Sequence, residues 1–455
     1  MKRPTARKNM VGDFVKDPKK ALWKLSIPIM IGMFVQTLYN VVDTAYVGRL
    51  GTDSIAALTF AFPLFFIILA VNGGISAGMI SRISRCLGAK QKRAAENTAV
   101  HGVLLSLVVA LVVVVLGQIF LEDIFALFGA SGAVIPLSIS YMSIVLWGVF
   151  LMVPSFVITS IFSAQGDTKT PMMIQVSSLV LNIILDPIFI YALDMGVKGA
   201  AIATVISFGL SVVLGIVFLR TRSYLELDFR SFRYKGVIVK DIFRVGVPAS
   251  LMMLLVSFYI IFINRLMAIF GTEYVAGYGL VARWDSLAIL PSIAISMATL
   301  TLVGMFFGAK HNDLLKQTVF YAIKVGTGIA VVVGLLFMIF PHLFISVFTS
   351  DPVLLGIASP YLVLNAFALL LFPVIMIISR AMQGLGLGFP GLALNLLRIC
   401  ISLSLAYFFI LGLGKWYLSV PIAMVIGRII AGTAAVVWFS SKVRKLNGVE
   451  HAVQQ

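Results

Sequence analysis

The sequence predicts an all-α polytopic membrane protein, with twelve transmembrane helices in two six-helix bundles related by a pseudo-two-fold axis along the membrane normal. Three observations predict it. The 455-residue chain is 60% hydrophobic and only 12% charged, against about 25% charged in soluble proteins. Apolar runs of about 20 residues, the length that crosses a bilayer, recur along most of it. Landmarks also repeat at an offset of 220: Pro28 with Pro248, Tyr39 with Tyr259, Gly51-Thr52 with Gly271-Thr272, Gly88-Ala89-Lys90 with Gly308-Ala309-Lys310, Phe120 with Phe340, and Tyr141 with Tyr361. So many matches at one spacing mark a duplication. Six spans per half start both halves on the same side. That is a parallel repeat, as in secondary transporters whose bundles rock about a central site.

The first-half runs place spans near 23–47, 55–81, 97–121, 134–162, 172–193 and 198–219. Those of the second half lie near 243–268, 275–303, 317–341, 353–379, 391–413 and 417–440. The organisation read from them is a tail over 1–22, an N-lobe over 23–219, a linker over 220–242, a C-lobe over 243–440 and a tail over 441–455. The long polar start has no A-x-A site behind a short apolar core, so the first span is expected to stay in the protein. The linker is charged, carries Tyr224 and Phe229, and reads as a cytoplasmic helix or loop. The repeat register slips slightly later, pairing Pro154 with Pro373, Gln165-Gly166 with Gln383-Gly384 and Pro171 with Pro390, and returns at Ala203 and Ala423.

The net charge is +17. With twelve spans, 27 of the 35 Lys and Arg fall on the side of the N-terminus, while the opposite loops hold Arg49, Lys198 and Lys415. This asymmetry puts both termini in the cytoplasm and the protein in the plasma membrane. It accounts for the basic charge without nucleic acid, and anionic lipid headgroups are expected neighbours. Cys86 and Cys400 form neither a disulfide framework nor a metal knuckle. No GxxxxGK[ST] is present, GLGLG at 384–388 reads as a turn, and His101, His311, His342 and His451 have no metal spacing. The expectation is therefore a protein that is not an enzyme and needs no cofactor.

Residues 38–48 read LYNVVDTAYVG and place Asp43 inside a span. An Asp at the bilayer centre costs roughly 2.5–3.5 kcal/mol on insertion scales, so it is expected to serve a function. In SLVLNIILDPIFIYAL, Asn182 and Asp186 are spaced i, i+4 and share a helix face. Pro187 cannot donate to the carbonyl of Ile183, which offers a further acceptor. Thr204 lies near the middle of the sixth span. At the repeat offset Asp43 meets Ile263 and Thr204 meets Met424, and in the slipped register Asn182 meets Ile401 and Asp186 meets Leu405. The polar set is confined to the first half, which points to a site in that bundle. Hard oxygens suit H⁺ or Na⁺, and two acids in low dielectric cannot easily both ionise, so one takes up a proton. The plainer alternative is that each group satisfies a neighbouring helix, with Thr204 bonding back within its own.

Pro28 can bend the first span and couple to Asp43, or form a fixed kink. Gln36, Tyr39 and Tyr141 offer amphipathic surface, and Met30, Met33, Met172 and Met173 offer adaptable apolar contact. Ordinary helix packing is the alternative for each. Arg283 and Asp285 in GLVARWDSLAILP read as an internal ion pair, or more sharply as substrate or coupling residues. Arg398 and Arg428 are expected to snorkel or pair.

The segments YNVVDTAYVGRLG, GAKQKRAAENT, QGDTKTP and NIILDPIFIY resemble the multidrug and toxic compound extrusion (MATE) transporters, with the DinF branch the nearest match, over nearly the whole chain. The resemblance implies the MATE fold and a V-shaped two-lobe antiporter. It would export small organic cations or amphipathic drugs, driven by inward H⁺ or Na⁺, with no metal beyond a Na⁺ at the coupling site. The family's cation site falls on Asp43, Asn182, Asp186 and Thr204, and its drug contacts on Gln36, Tyr39, Tyr141, Met173 and Ser177. Ser155 and Thr159 stand where some relatives carry Asn. Another branch uses acids in the C-lobe. Here that region reads LNAFALLLFPV, so coupling is expected in the N-lobe. The competing readings are an exporter or flippase of a lipid or endogenous metabolite, a membrane enzyme, and a channel. A monomer with membrane lipids around it is expected.

Overall fold

The computed structural model describes residues 9–128, 134–230, 232–414 and 416–453. Residues 1–8 of the expected tail and Lys415 of the expected outer loops lie outside these. Every regular element among the described residues is helical, as hydrocarbon requires of a chain that must satisfy its backbone within each segment. In order they are α1 (Val11–Lys16), α2 (Pro18–Gly48), α3 (Thr52–Gly88), α4 (Lys92–Ile119), α5 (Leu121–Leu127), α6 (Val134–Ala164), α7 (Lys169–Pro187), α8 (Gly196–Arg222), α9 (Gly236–Ala268), α10 (Thr272–Ala288), α11 (Leu290–Gly308), α12 (Asn312–Ile339), α13 (Pro341–Ser346), α14 (Pro352–Gly384), α15 (Phe389–Tyr407) and α16 (Ser419–Val453). Twelve of the helices are long and apolar enough to cross a membrane.

The eighth span differs from expectation. The apolar run over 275–303 is two helices, α10 and α11, parted at Ile289. Pro291 cannot donate to the carbonyl of Leu287 and its ring crowds that turn, so the helix restarts there. The break lies one turn after Asp285.

The chain divides into two compact units: residues up to Gly12 with Ile27–Ser250, and Asp13–Ser26 with Leu251 onward. In the second unit, Leu22 and Leu25 are buried and the Trp23 indole donates to the Tyr321 hydroxyl at 3.2 Å. In the first unit the linker is strapped down by side chains. Gln165, buried at the end of α6, donates to Ser223 Oγ at 3.0 Å and accepts from the Tyr224 amide at 2.8 Å. His101 on α4 carries its proton on Nδ1, 2.7 Å from the Asn97 carbonyl, so Nε2 accepts from the Lys235 amide at 3.0 Å. Arg82 on α3 pairs with Asp241 on α9.

Turn geometry shows how closely the duplication is kept. After α3, Lys90 is left-handed with φ 59°, and after α11 Lys310 has φ 60°. Both close Schellman motifs, with Gln91 N on Cys86 O at 2.8 Å and His311 N on Phe306 O at 2.9 Å. After α6 and α14 the same motif centres on Gly166 (φ 82°) and Gly386 (φ 83°). GLGLG is therefore a helix-ending turn. These glycines are 220 apart, so the expected slip pairing Gln165-Gly166 with Gln383-Gly384 is corrected. The pattern of buried and exposed residues over 177–190 recurs over 397–410 at the same offset. The structural counterparts of Asn182 and Asp186 are thus Ser402 and Ala406, not Ile401 and Leu405. The proline matches mislead because Pro154 and Pro373 occupy adjacent rather than equivalent positions inside α6 and α14. A π-helical turn follows at Ile188–Ala192 and again at Phe408–Gly412. The second has Tyr407 where the first has Pro187, so the proline is not its cause.

Small residues let the helices touch. A Cβ at Gly78 on α3 would overlap the backbone carbonyl of Ile242 on α9, and one turn earlier Gly74 meets Ser250 and Gly246. This is close small-residue packing of the kind that joins helices in lipid, where apolar side chains gain little by leaving the tails. On α4 the buried line Ser106, Ala110, Val114 and Gly117 faces inward, while Leu111, Val115 and Ile119 are exposed on the opposite side, toward lipid. Replacing Gly78 by Leu is expected to force α3 and α9 apart at a cost of about 1–3 kcal/mol or more, because the obstacle is backbone and cannot rotate away. A fall in apparent melting temperature of the purified protein, with Gly328→Leu as the open-space control, measures it.

Candidate functional site

In the first unit four helices bring polar side chains to one place. α2 carries Tyr39 and Asp43, α6 carries Tyr141, α7 carries Asn182 and Asp186, and α8 carries Thr204. The i, i+4 spacing on α7 lets Asn182 Nδ2 donate to Asp186 Oδ1 at 3.2 Å. Asp186 is fully buried and Asn182 is 2% exposed. Asp186 Oδ2 and Asn182 Oδ1 are buried with no partner. Asp43 stands close enough to Asp186 for the two to interact electrostatically. Tyr39 and Tyr141 stand beside both carboxylates, and the Tyr39 hydroxyl meets the Thr204 side chain. The result is a set of carboxylate, amide and hydroxyl oxygens with unused acceptor capacity in an apolar bundle. Such a set can accept a proton or hold a small cation.

The remaining expected residues fall elsewhere. Gln36 lies two turns before Asp43, donates to Asn40 Oδ1 at 3.2 Å and accepts from Gln175 on α7 at 3.2 Å. It bridges two helices of the bundle. Met173 lies about 20 Å along α7 from Asp186 at 1.5 Å per residue, with its sulfur 3.6 Å from the Arg222 guanidinium. Ser177 is exposed one turn further along. Pro28 sits within the continuous helix α2. Ser155 is buried in α6, and Thr159 bonds back to the Phe156 carbonyl at 2.9 Å.

The family model described as MatE matches residues 28–188 and again 248–408. The two matches are 220 apart and take in the landmarks of both halves. The chain belongs to the MatE family. Its members are transporters rather than enzymes, and the match assigns no branch within the family. This MatE chain is 31% identical over 385 residues to a probable multidrug resistance protein, YoeA, of Bacillus subtilis, covering 82% of this chain and 83% of that one. It is 25% identical over 400 residues to the multidrug export protein MepA of Staphylococcus aureus, covering 87% and 88%. Among solved structures it matches the outward-facing conformation of a multidrug resistance MATE family transporter with a TM-score of 0.92 and 33% identity, over 98% of this chain and 100% of that one.

The second half of this MatE protein is not as apolar as its sequence suggests. Arg283 and Asp285 do not pair. Spaced i, i+2, they point apart: the Arg283 guanidinium lies over the Phe348 ring at 5.4 Å, while Asp285 Oδ2 accepts from Asn365 Nδ2 at 2.6 Å. Asn365 belongs to the stretch LNAFALLLFPV, which reads as apolar. Arg398 and Arg428 do not snorkel, being only 7% and 9% exposed. The reading that polar residues cluster in the first half alone is thereby corrected. The second unit has its own cluster at other helix positions, which comparison at first-half positions could not find. Its sequence signals are the charged Arg283, Asp285, Arg398 and Arg428 inside apolar spans and the lone amide of Asn365.

The Gln36–Gln175 bond joins α2 to α7 about two turns before Asp43 and three before Asp186. Gln36→Ala and Gln175→Ala are expected to destabilise by similar amounts and to be non-additive when combined. The expected coupling is about 0.5–1.5 kcal/mol in a double-mutant cycle on thermal unfolding.

Proposed function

We propose that this MatE-family protein is a cation-coupled antiporter that exports small organic cations and amphipathic compounds by alternating access, with Asp43 and Asp186 carrying the coupling H⁺ or Na⁺. The observation that carries the reading is the buried Asp186, with one oxygen unpartnered, beside Asp43 in a transporter. Two carboxylates held together in low dielectric require compensation by a proton or a cation. An organic cation and the coupling ion would compete for that role, and such competition is the basis of antiport. Asn182 and Thr204 complete the oxygen set, and Tyr39 and Tyr141 give a substrate an aromatic surface next to it. Gln36, Met173 and Ser177 would extend the substrate path along α2 and α7. Pro28 weakens α2 about 22 Å before Asp43 at 1.5 Å per residue, so a change in the bonds made by Asp43 can be expressed as a bend in that helix.

The charge asymmetry supports a plasma-membrane protein with both termini cytoplasmic. The set of oxygens lies within one unit, so a monomer suffices for coupling. The named relatives support multidrug substrates. A second reading, export of a lipid or endogenous amphiphile, is favoured by the two buried arginines of the second unit.

The test is efflux of a fluorescent organic cation from proteoliposomes under a pH gradient or a Na⁺ gradient, imposed separately. Efflux driven by one gradient and lost in Asp43→Asn and Asp186→Asn is the expected result. Unchanged efflux in both variants would remove the coupling assignment. Absence of efflux from wild type under either gradient would favour the lipid or metabolite reading.

A further inference from the structure

The second unit buries more positive charge than it compensates. Arg398 on α15 and Arg428 on α16 each lie about 13–14 Å into their helices at 1.5 Å per residue, near the middle of the hydrocarbon. Neither lies within ion-pair distance of a carboxylate among the described residues. Each guanidinium is set against an aromatic ring, Arg398 over Tyr259 at 5.3 Å and Arg428 over Phe372 at 5.8 Å. The acid of the neighbourhood, Asp285, faces Arg428 at longer range and gives one oxygen to Asn365. The cluster therefore holds two guanidiniums and one carboxylate. Arginine does not shed its charge on burial, and an uncompensated buried charge costs several kcal/mol.

The unused hydrogen-bonding capacity points the same way. Arg428 Nε is buried without a partner, and Tyr259, whose hydroxyl meets the Ser402 side chain, lies within electrostatic range of both arginines. Asp285 Oδ1 and Asn365 Oδ1 are unpartnered acceptors at the edge of the cluster, while the guanidiniums and the hydroxyls beside them can donate, which suits an anion. Arg428 also borders an open groove of about 340 Å³ on the outer face between α14 and α16, walled by Leu371, Val374, Ile429, Gly432, Thr433 and Val437, of which Ile429 and Val437 are exposed. Its walls are mostly aliphatic and its charged group is a guanidinium.

We propose that the second unit binds an amphipathic anion, with its carboxylate or phosphate on Arg428 and Arg398 and its hydrocarbon along the open α14–α16 groove. Ser402 and Tyr259 supply further donors. Asp285 and Asn365 fix the edge of the site by repelling or limiting a second negative group. A free amphipathic acid and the phosphate of an anionic lipid share this chemistry. The site is independent of the coupling residues of the first unit.

The test uses the purified full-length protein in detergent with a dansyl-labelled undecanoate, and the methyl ester of the same probe as the uncharged control. Saturable fluorescence enhancement is expected for the acid, with the ester bound about tenfold or more weakly, as loss of hydrogen bonds to a charged group implies. Arg428→Gln and Arg398→Gln are expected to weaken the acid by a similar factor, and Arg428→Lys to retain part of the affinity. Equal binding of acid and ester by wild type would overturn the proposal, and that comparison stands even if the glutamine variants fail to fold. Displacement of the probe by oleate alone would identify a free acid as the ligand. Displacement by dioleoylphosphatidylglycerol would identify a lipid phosphate. Displacement by neither would also overturn the proposal.

Discussion

Hydrocarbon offers no hydrogen bond to a polar group, and most of this protein follows from that constraint. It makes every described element a helix and puts small residues where helices meet. It also makes each buried polar side chain expensive enough to require a partner or a purpose. Most such groups have the cheapest partner, a carbonyl one turn back on their own helix, as Thr98, Ser160 and Ser207 do. Among the exceptions are two clusters of charged and amide groups. One holds Asp43, Asn182 and Asp186 in the first unit. The other holds Asp285, Asn365, Arg398 and Arg428 in the second.

The duplicated scaffold makes these places comparable slot by slot. The turns after α3 and α11, and after α6 and α14, share their dihedral angles, and α7 and α15 bury the same positions over their last three turns. Within that common geometry the chemistry is inverted. Ser178 on α7 corresponds to Arg398 on α15, Asn182 to Ser402, and Asp186 to Ala406. The helix face that carries a carboxylate in the first unit carries a guanidinium about two turns away in the second. A duplicated bundle can change the sign of its interior without changing its backbone, because the constraint on each slot is burial and a partner rather than a particular charge.

The close helix contacts give the frame for both places. Gly199 at the start of α8 lies against the backbone of the π-helical turn, 2.6 Å from a would-be Cβ to the Phe189 carbonyl. That crossing fixes the end of α7 one turn beyond Asp186. The break at Ile289 similarly ends α10 one turn beyond Asp285. In each unit the buried acid sits at the last regular turn before an irregular one, where the backbone geometry departs from the α-helix.

The sequence by itself determined the helical class, the number of spans and the duplication, because hydropathy and spacing are local properties and hydrocarbon enforces them strictly. It also made Asp43, Asn182 and Asp186 legible, since a carboxylate in an apolar run is costly wherever it points. Apolar length alone predicts one helix for span eight, although Pro291 marks the break. Only the tertiary structure decided which polar groups meet. Asp285 and Asn365 are 80 residues apart and on separate helices, and no periodicity within either helix specifies the other. It decided too that Arg398 and Arg428 stay buried against aromatic rings rather than reaching for the interface. That outcome depends on which neighbours fill the space around each guanidinium, and packing between helices, not composition along one of them, sets those neighbours.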